Sequence, residues 1–305
     1  MMSGHGFTTG VATVLPGTAA SIFFDGQFSE PRLHHPEGVA IGPDGDVWCG
    51  SGDGDILRIA RDGARIAKVA STGGFVLGLA FDGAGHLFAC DSRIAGVWRL
   101  DLATSRLDRF TPPGIRIPNY PVVDGARGCL YVSDSFGTER PGPGVWRYDL
   151  STGEAHLWWA EPMVLANGMA LSNDGDALFV AETFAKRVSR IAIGPDGEPA
   201  GRTDAAVDLP GLPDGLALDD AGNLYVSCYE PSRIVRVDMT GRIAVYAEDA
   251  TAHAFTHPTN IAFDGAALYA ANLGRWHITR VATDTTGTPV VARVVAARNR
   301  ASRTA

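Results

Sequence analysis

One pattern recurs six times along the 305 residues: a turn, a short apolar run, a turn rich in Asp and Gly, then a second short strand. The copies are PEGVAIGPDGDVWCG from Pro36, VLGLAFDGAGHLFAC from Val76, NYPVVDGARGCLYVS from Asn119, ANGMALSNDGDALFVA from Ala166, PDGLALDDAGNLYVS from Pro213 and PTNIAFDGAALYAA from Pro258. Each continues into a third strand, such as GVWRYD from Gly144 or RIVRVD from Arg233, and most into a weaker fourth, such as RIAVYA from Arg242. Apolar and polar residues alternate in these segments, which marks half-buried strands. A repeat of ~40–50 residues made only of strands and turns predicts a propeller blade. The fold class expected is therefore all-β: a six-bladed β-propeller with four antiparallel strands per blade.

Such a ring must close. ASIFFDGQF precedes the first copy and TPVVARVVA follows the last. Strands from both termini sharing one blade would leave no open sheet edge. The closing residues RNRASRTA read as a polar tail, and no helix longer than a turn or two is evident. The expectation is one domain over residues 1–305, with an ordered core of about 11–297.

Composition narrows the function. A formal charge of −8 argues against nucleic acid, whose phosphates need a basic surface. No apolar run approaches the ~20 residues of a membrane span, and the first twenty residues lack the basic start and apolar core of a secretory signal. A cytoplasmic monomer or weak homodimer acting on a small molecule is the resulting expectation. Cys49, Cys90, Cys129 and Cys228 lie in or beside predicted strands with no CxxC spacing, so buried free thiols are expected. HExxH, GxSxG and GxxxxGK are all missing from the sequence. GPDGD with SGDGDI resembles a calcium loop, but without the terminal Glu it reads as hairpin turns.

Aligned on the apolar run, Glu37, Leu77, Tyr120, Asn167, Asp214 and Thr259 share one phase, and Asn119 stands one residue early in its copy. Equivalent positions in a ring converge on its axis. Glu37, Asn119, Asn167 and Asp214 would thus aim four oxygen donors at the channel centre, a set suited to one hard divalent cation. Calcium is favoured, with zinc, magnesium and manganese open. A second ring reads Ser51, Asp91, Asp134, Glu182, Cys228 and Asn272. Of these, Asp134, Glu182 and Asn272 are candidates to border the pocket and orient a ligand or water, or else to cap hairpins. His34, His35, His257 and His277 gather near blade starts, and Phe136, Phe184, Tyr229 and Trp276 lie in loops that would line a cleft or pack between blades.

HPEGVAIGPDGDVW, NYPVVD, ANGMALSNDGDALFVAET and PDGLALDDAGNLYVS resemble the motifs of the senescence marker protein/gluconolactonase/luciferin-regenerating family, over about Pro31 to Ala282. The resemblance implies a metal-dependent hydrolase of a small lactone or sugar-lactone-like ester. It implies metal ligands at Glu37, Asn167 and Asp214, with Asn119 as a fourth ligand or a substrate contact and Asp214 as general base. Two departures stand out. Asn119-Tyr120-Pro121 replaces the family's Asn-Asp-Gly, and Ile117 stands where an Arg is frequent, with Arg116 one residue earlier. Arg116 and Tyr120 become the candidate substrate contacts beside Asn119. ANGMALSNDGDALFVAETFAKRVSRIAI is also similar to strictosidine synthase-like propellers, which implies metal-free condensation or cyclisation as the alternative activity. A non-catalytic metabolite-binding propeller is the third reading.

Overall fold

The computed structural model describes residues 13–110 and 114–304. The apolar run of each copy forms the innermost strand of a sheet, and its Asp/Gly turn leads antiparallel into the second. Blade one comprises Val39–Ile41, Val47–Gly50, Asp55–Ile59 and Ile66–Ser71, paired in that order. Blades two to five repeat the arrangement from inner strands Val76–Phe81, Pro118–Asp124, Ala166–Leu171 and Pro213–Leu218. Blade six begins with Pro258–Asn272, which passes through an exposed turn at Gly265 (φ +60°) and pairs with His277–Gly287. Its outer strand is Ala20–Asp25, from the other end of the chain, with Ala20 opposite Val281 and Asp25 opposite His277. The ring is thus closed by strands from both termini, as expected.

The core lies between blades, as six apolar clusters. Between blades three and four, Tyr131, Trp158, Met169 and Val180 pack together. Large rings such as Phe88, Tyr225 and Tyr246 are almost wholly buried. Each contributes on the order of 1.5–3 kcal/mol by leaving water. All four cysteines are buried free thiols. Among the described residues no helix is long and apolar enough to cross a membrane.

One expectation fails. Val290–Thr304 is a 15-residue helix, here α1, so the supposed polar tail is helical and TPVVARVVA adds no strand. Its valines are β-branched and favour strands when read locally. Tertiary packing overrides that preference, because Val291 and Val294, three residues apart, share one helix face and bury against blades two and three. Pro289 precedes the first turn, and its carbonyl accepts from Ala292 N at 3.0 Å and Arg293 N at 3.2 Å. The helix lies across one mouth of the channel. Arg293 donates to Leu218 O at 2.9 Å and Asp220 Oδ1 at 3.1 Å, and Arg298 donates to Asp82 O at 3.2 Å.

Candidate functional site

The inner strands begin at the opposite mouth. There the register corrects the phase of blade three. Pro118 pairs with Asp134, as Val76 pairs with Asp91, Ala166 with Glu182 and Pro213 with Cys228. Asn119 is therefore the equivalent of Leu77, Asn167 and Asp214. Tyr120 takes the next place, held elsewhere by Gly78, Gly168 and Gly215. Its N–H donates to Ser133 Oγ at 2.9 Å, as that of Gly215 donates to Ser227 Oγ at 2.9 Å. The misreading came from aligning Pro121 with glycine, when it matches Leu79 and Met169 in the ladder.

Those glycines draw the ring together. A Cβ on Gly168 would lie 2.3 Å from Asp214 O, and one on Gly38 would lie 2.1 Å from Leu77 O. Only a residue without a side chain lets neighbouring inner strands come this close. Hydroxyls then lock blade to blade. Ser135 Oγ accepts from Asn119 Nδ2 at 3.0 Å and donates to Ala166 O at 2.7 Å. Thr183 Oγ1 accepts from Asn167 Nδ2 at 3.2 Å and donates to Pro213 O at 2.8 Å. Thr259 Oγ1 and Asn260 Nδ2 donate to Glu37 O at 2.8 and 2.9 Å. Ser135 and Thr183, absent from the candidates read in the sequence, hold both amides of the site. Their signal was available, since each follows a second-ring acid as Asp134-Ser135 and Glu182-Thr183.

Asn167 and Asp214 are buried, at 6% and 8% exposure, while Glu37 and Asn119 are half-buried. Burial first, and the neighbouring Asp214 carboxylate second, push the Glu37 carboxyl well above the usual range, against a hydrogen bond from Thr259. Burial likewise raises Asp214, against a hydrogen bond from Asn167. Among the described residues neither carboxylate has a cationic partner within ion-pair distance. No three His, Cys, Asp or Glu side chains come together there either. An ion at this place would rest on two carboxylates and on amides. That donor set is all oxygen, and it fits a hard divalent cation better than zinc.

Tyr229 joins the site. Burial, and then Glu37 and Asp214, raise its phenol above the ordinary value. Its ring stacks on His257, with centroids 4.6 Å apart and planes at 24°. A similar contact recurs one blade on, where Trp276 stands edge-on to His34 and His35 at 4.5 and 5.2 Å. His35, His257 and Trp276 all carry positive φ, an uncommon backbone state for such residues. None of these rings belongs to an inter-blade apolar cluster. Phe184 is 49% exposed. Arg116 is exposed, with its guanidinium 4.9 Å from the centre of the Phe136 ring, so it belongs to the rim. Tyr120, the other expected substrate contact, is 8% exposed within the apolar cluster of blades three and four.

The second ring sits deeper than expected. Asp134, Glu182 and Asn272 are at most 2% exposed, and they hold loops instead of bordering the pocket. Asp134 accepts from Arg116 N, Ile117 N and Phe136 N at 2.9–3.0 Å. Asn272 Oδ1 accepts from Thr256 N at 2.9 Å. Glu182 accepts from Val164 N at 3.0 Å and pairs with Arg187 at 2.9 Å and with Arg202. His277 is buried against Ala254 O at 2.9 Å.

Known proteins resemble this chain in both sequence and shape. Residues 27–59 match the N-terminal region of strictosidine synthase-like proteins. The adipocyte plasma membrane-associated protein Hemomucin of Drosophila melanogaster is 28% identical over 225 residues, 63% of this chain and 38% of that one. The pentonolactonase XacC of Haloferax volcanii is 31% identical over 101 residues, 31% of this chain and 35% of that one. The chain therefore covers well under two thirds of either relative. A gluconolactonase of Xanthomonas campestris shares the fold, with a TM-score of 0.70 and 20% identity over 86% of this chain and 89% of that one. Residues 77–272, well over half of the chain, match the SMP-30/gluconolactonase/LRE-like region, and the chain belongs to that family.

Proposed function

We propose that the chain is a hydrolase that opens a small lactone or sugar-lactone-like ester at the mouth where Glu37, Asn119, Asn167 and Asp214 meet. The observation that carries this reading is the Glu37–Asp214 pair, one half-buried and one buried, pushed toward protonation with no cationic side chain beside it among the described residues. Two such groups are costly to bury in the charged form, and a bound divalent cation would remove that cost. Glu37, Asn167, Asp214 and Asn119 would hold it, with calcium first in expectation. Bound there, the ion would supply positive charge to polarise a carbonyl oxygen.

The chain's own groups do the rest. Asp214 takes a proton from the attacking water as its oxygen bonds to the lactone carbonyl carbon. As the ring C–O bond breaks, that proton passes to the departing alkoxide, giving a hydroxy acid. Ser135 fixes the Asn119 amide so that it can position the substrate. Tyr229 and Trp276, braced by histidines, wall the approach and exclude water from one side.

The test is hydrolysis of a lactone panel with calcium, with chelator and after Asp214→Ala. Loss of turnover in the last two arms supports the reading. Undiminished hydrolysis by Asp214→Ala would remove it. A second reading is favoured by the match of residues 27–59 to strictosidine synthase-like proteins: a condensation or cyclisation in the same pocket without metal. Carbon–carbon bond formation that persists in chelator would select it.

A further inference from the structure

The channel does not end at the carboxylates. Behind them, toward α1, lies a cavity of about 770 Å³, and none of the six ring residues lines it. Its width has a simple origin. The third residue beyond the ring position is alanine in five blades, as Ala40, Ala80, Ala170, Ala217 and Ala262, with Val122 in blade three. Methyl groups at these places leave the bore open. On the far side α1 presents Ala292, Ala296 and Ala297 to the same space. Val291 and Val294 seat the helix at 6% and 4% exposure, so α1 forms a wall while its alanines leave room. Tyr120, at the glycine phase of blade three, reaches the cavity too.

The space is partly open, with exposed Asn173, Asp174 and Val290 at its edge. Small-molecule sites measure ~300–1,000 Å³, and an apolar cavity of ~150 Å³ already stays dry and takes up benzene. Two guanidiniums at the border are matched within the protein. Arg127 binds Asp124 Oδ2 at 2.7 Å and Gly175 O at 2.9 Å. Arg293 binds Asp220 and Leu218 O as described above. Neither guanidinium needs an anion to complete it, so neither recruits an anionic ligand.

We propose that this chamber, walled by the alanine ring and α1, is a binding site for a neutral, apolar small molecule, separate from the carboxylate mouth. The probe is Nile red, titrated onto the intact calcium-supplemented protein. Saturable one-to-one binding is expected, weakened at least tenfold by Ala297→Trp and by Ala170→Phe and unchanged by Asp214→Ala. Absence of saturable binding, unchanged affinity in both filled variants, or loss of binding in Asp214→Ala would each overturn the proposal. Should both filled variants fail to fold, xenon-pressurised crystals of the unsubstituted protein decide. Xenon between the alanine ring and α1 supports the site, and xenon located only elsewhere overturns it.

Discussion

Two acid centres near the start of the blades in this propeller behave oppositely. Glu182 is wholly buried, yet Arg187, Ser189, the Val164 N–H and Arg202 surround it. Burial alone would raise its carboxyl, but the Arg187 hydrogen bond, then Ser189 and Val164, then Arg202 outweigh that and hold it below its ordinary value. Asp214 is buried and Glu37 half-buried; their hydrogen bonds come from an amide and a hydroxyl, Asp214 adds like charge beside Glu37, and both are pushed up. The contrast separates a centre whose counter-charge the protein supplies from one where, among the described residues, it supplies none. Burial of an acid is therefore not itself a functional signal; what matters is whether the protein supplies the counter-charge.

The comparison can be broken at either centre. Asp214→Ala should give the largest effect, a turnover loss of about 10²–10⁴-fold if it is the general base, with weaker calcium binding by calorimetry. Equal turnover would make the mouth as structural as Glu182. Glu182→Ala should cost about 3–5 kcal/mol in denaturant unfolding, since it strands Arg187 and Arg202, while calcium affinity stays unchanged.

The same carboxylate fixes a pH dependence. A depressed folded-state pKa adds stability above the unfolded value of ~4.3, and this is lost as pH falls through the folded value. The wild type should therefore lose stability relative to Glu182→Gln as pH drops below that point. A constant gap down to strong acid would contradict the assigned pairing. Calcium at 100 times its Kd should stabilise the wild type by about 2.7 kcal/mol and Asp214→Ala by far less, read as a shift in Tm. The smallest effect expected is from Gly168→Ala, about 1–3 kcal/mol of overpacking. Its added methyl would meet Asp214 O at 2.3 Å, so calcium affinity should fall with stability. A stability loss with intact affinity would show that the close approach does not position the ring.

Much of this was legible in the chain because a propeller repeats. Each copy carries its own strand alternation and Gly/Asp turn, so the blade count and Glu37, Asn167 and Asp214 at one phase could be read locally. The place of Asn119 could not, because Tyr120-Pro121 mimics the Gly-aliphatic step and only the pairing of Pro118 with Asp134 resolves it. Nor could Asp134 and Glu182 be told from pocket residues, since their partners come from other strands and lead-in loops.

What the sequence alone determined is the periodic part: six copies of a strand-and-turn unit, and the donor types at their starts. Periodicity and turn chemistry act within a few residues, so they survive without knowledge of neighbours. Only the tertiary structure decided which acids are neutralised, that Tyr229 stacks on His257 and that a valine-rich tail becomes a helix over an alanine-lined chamber. Each of these depends on groups distant in the chain, whose charge and packing no local pattern records.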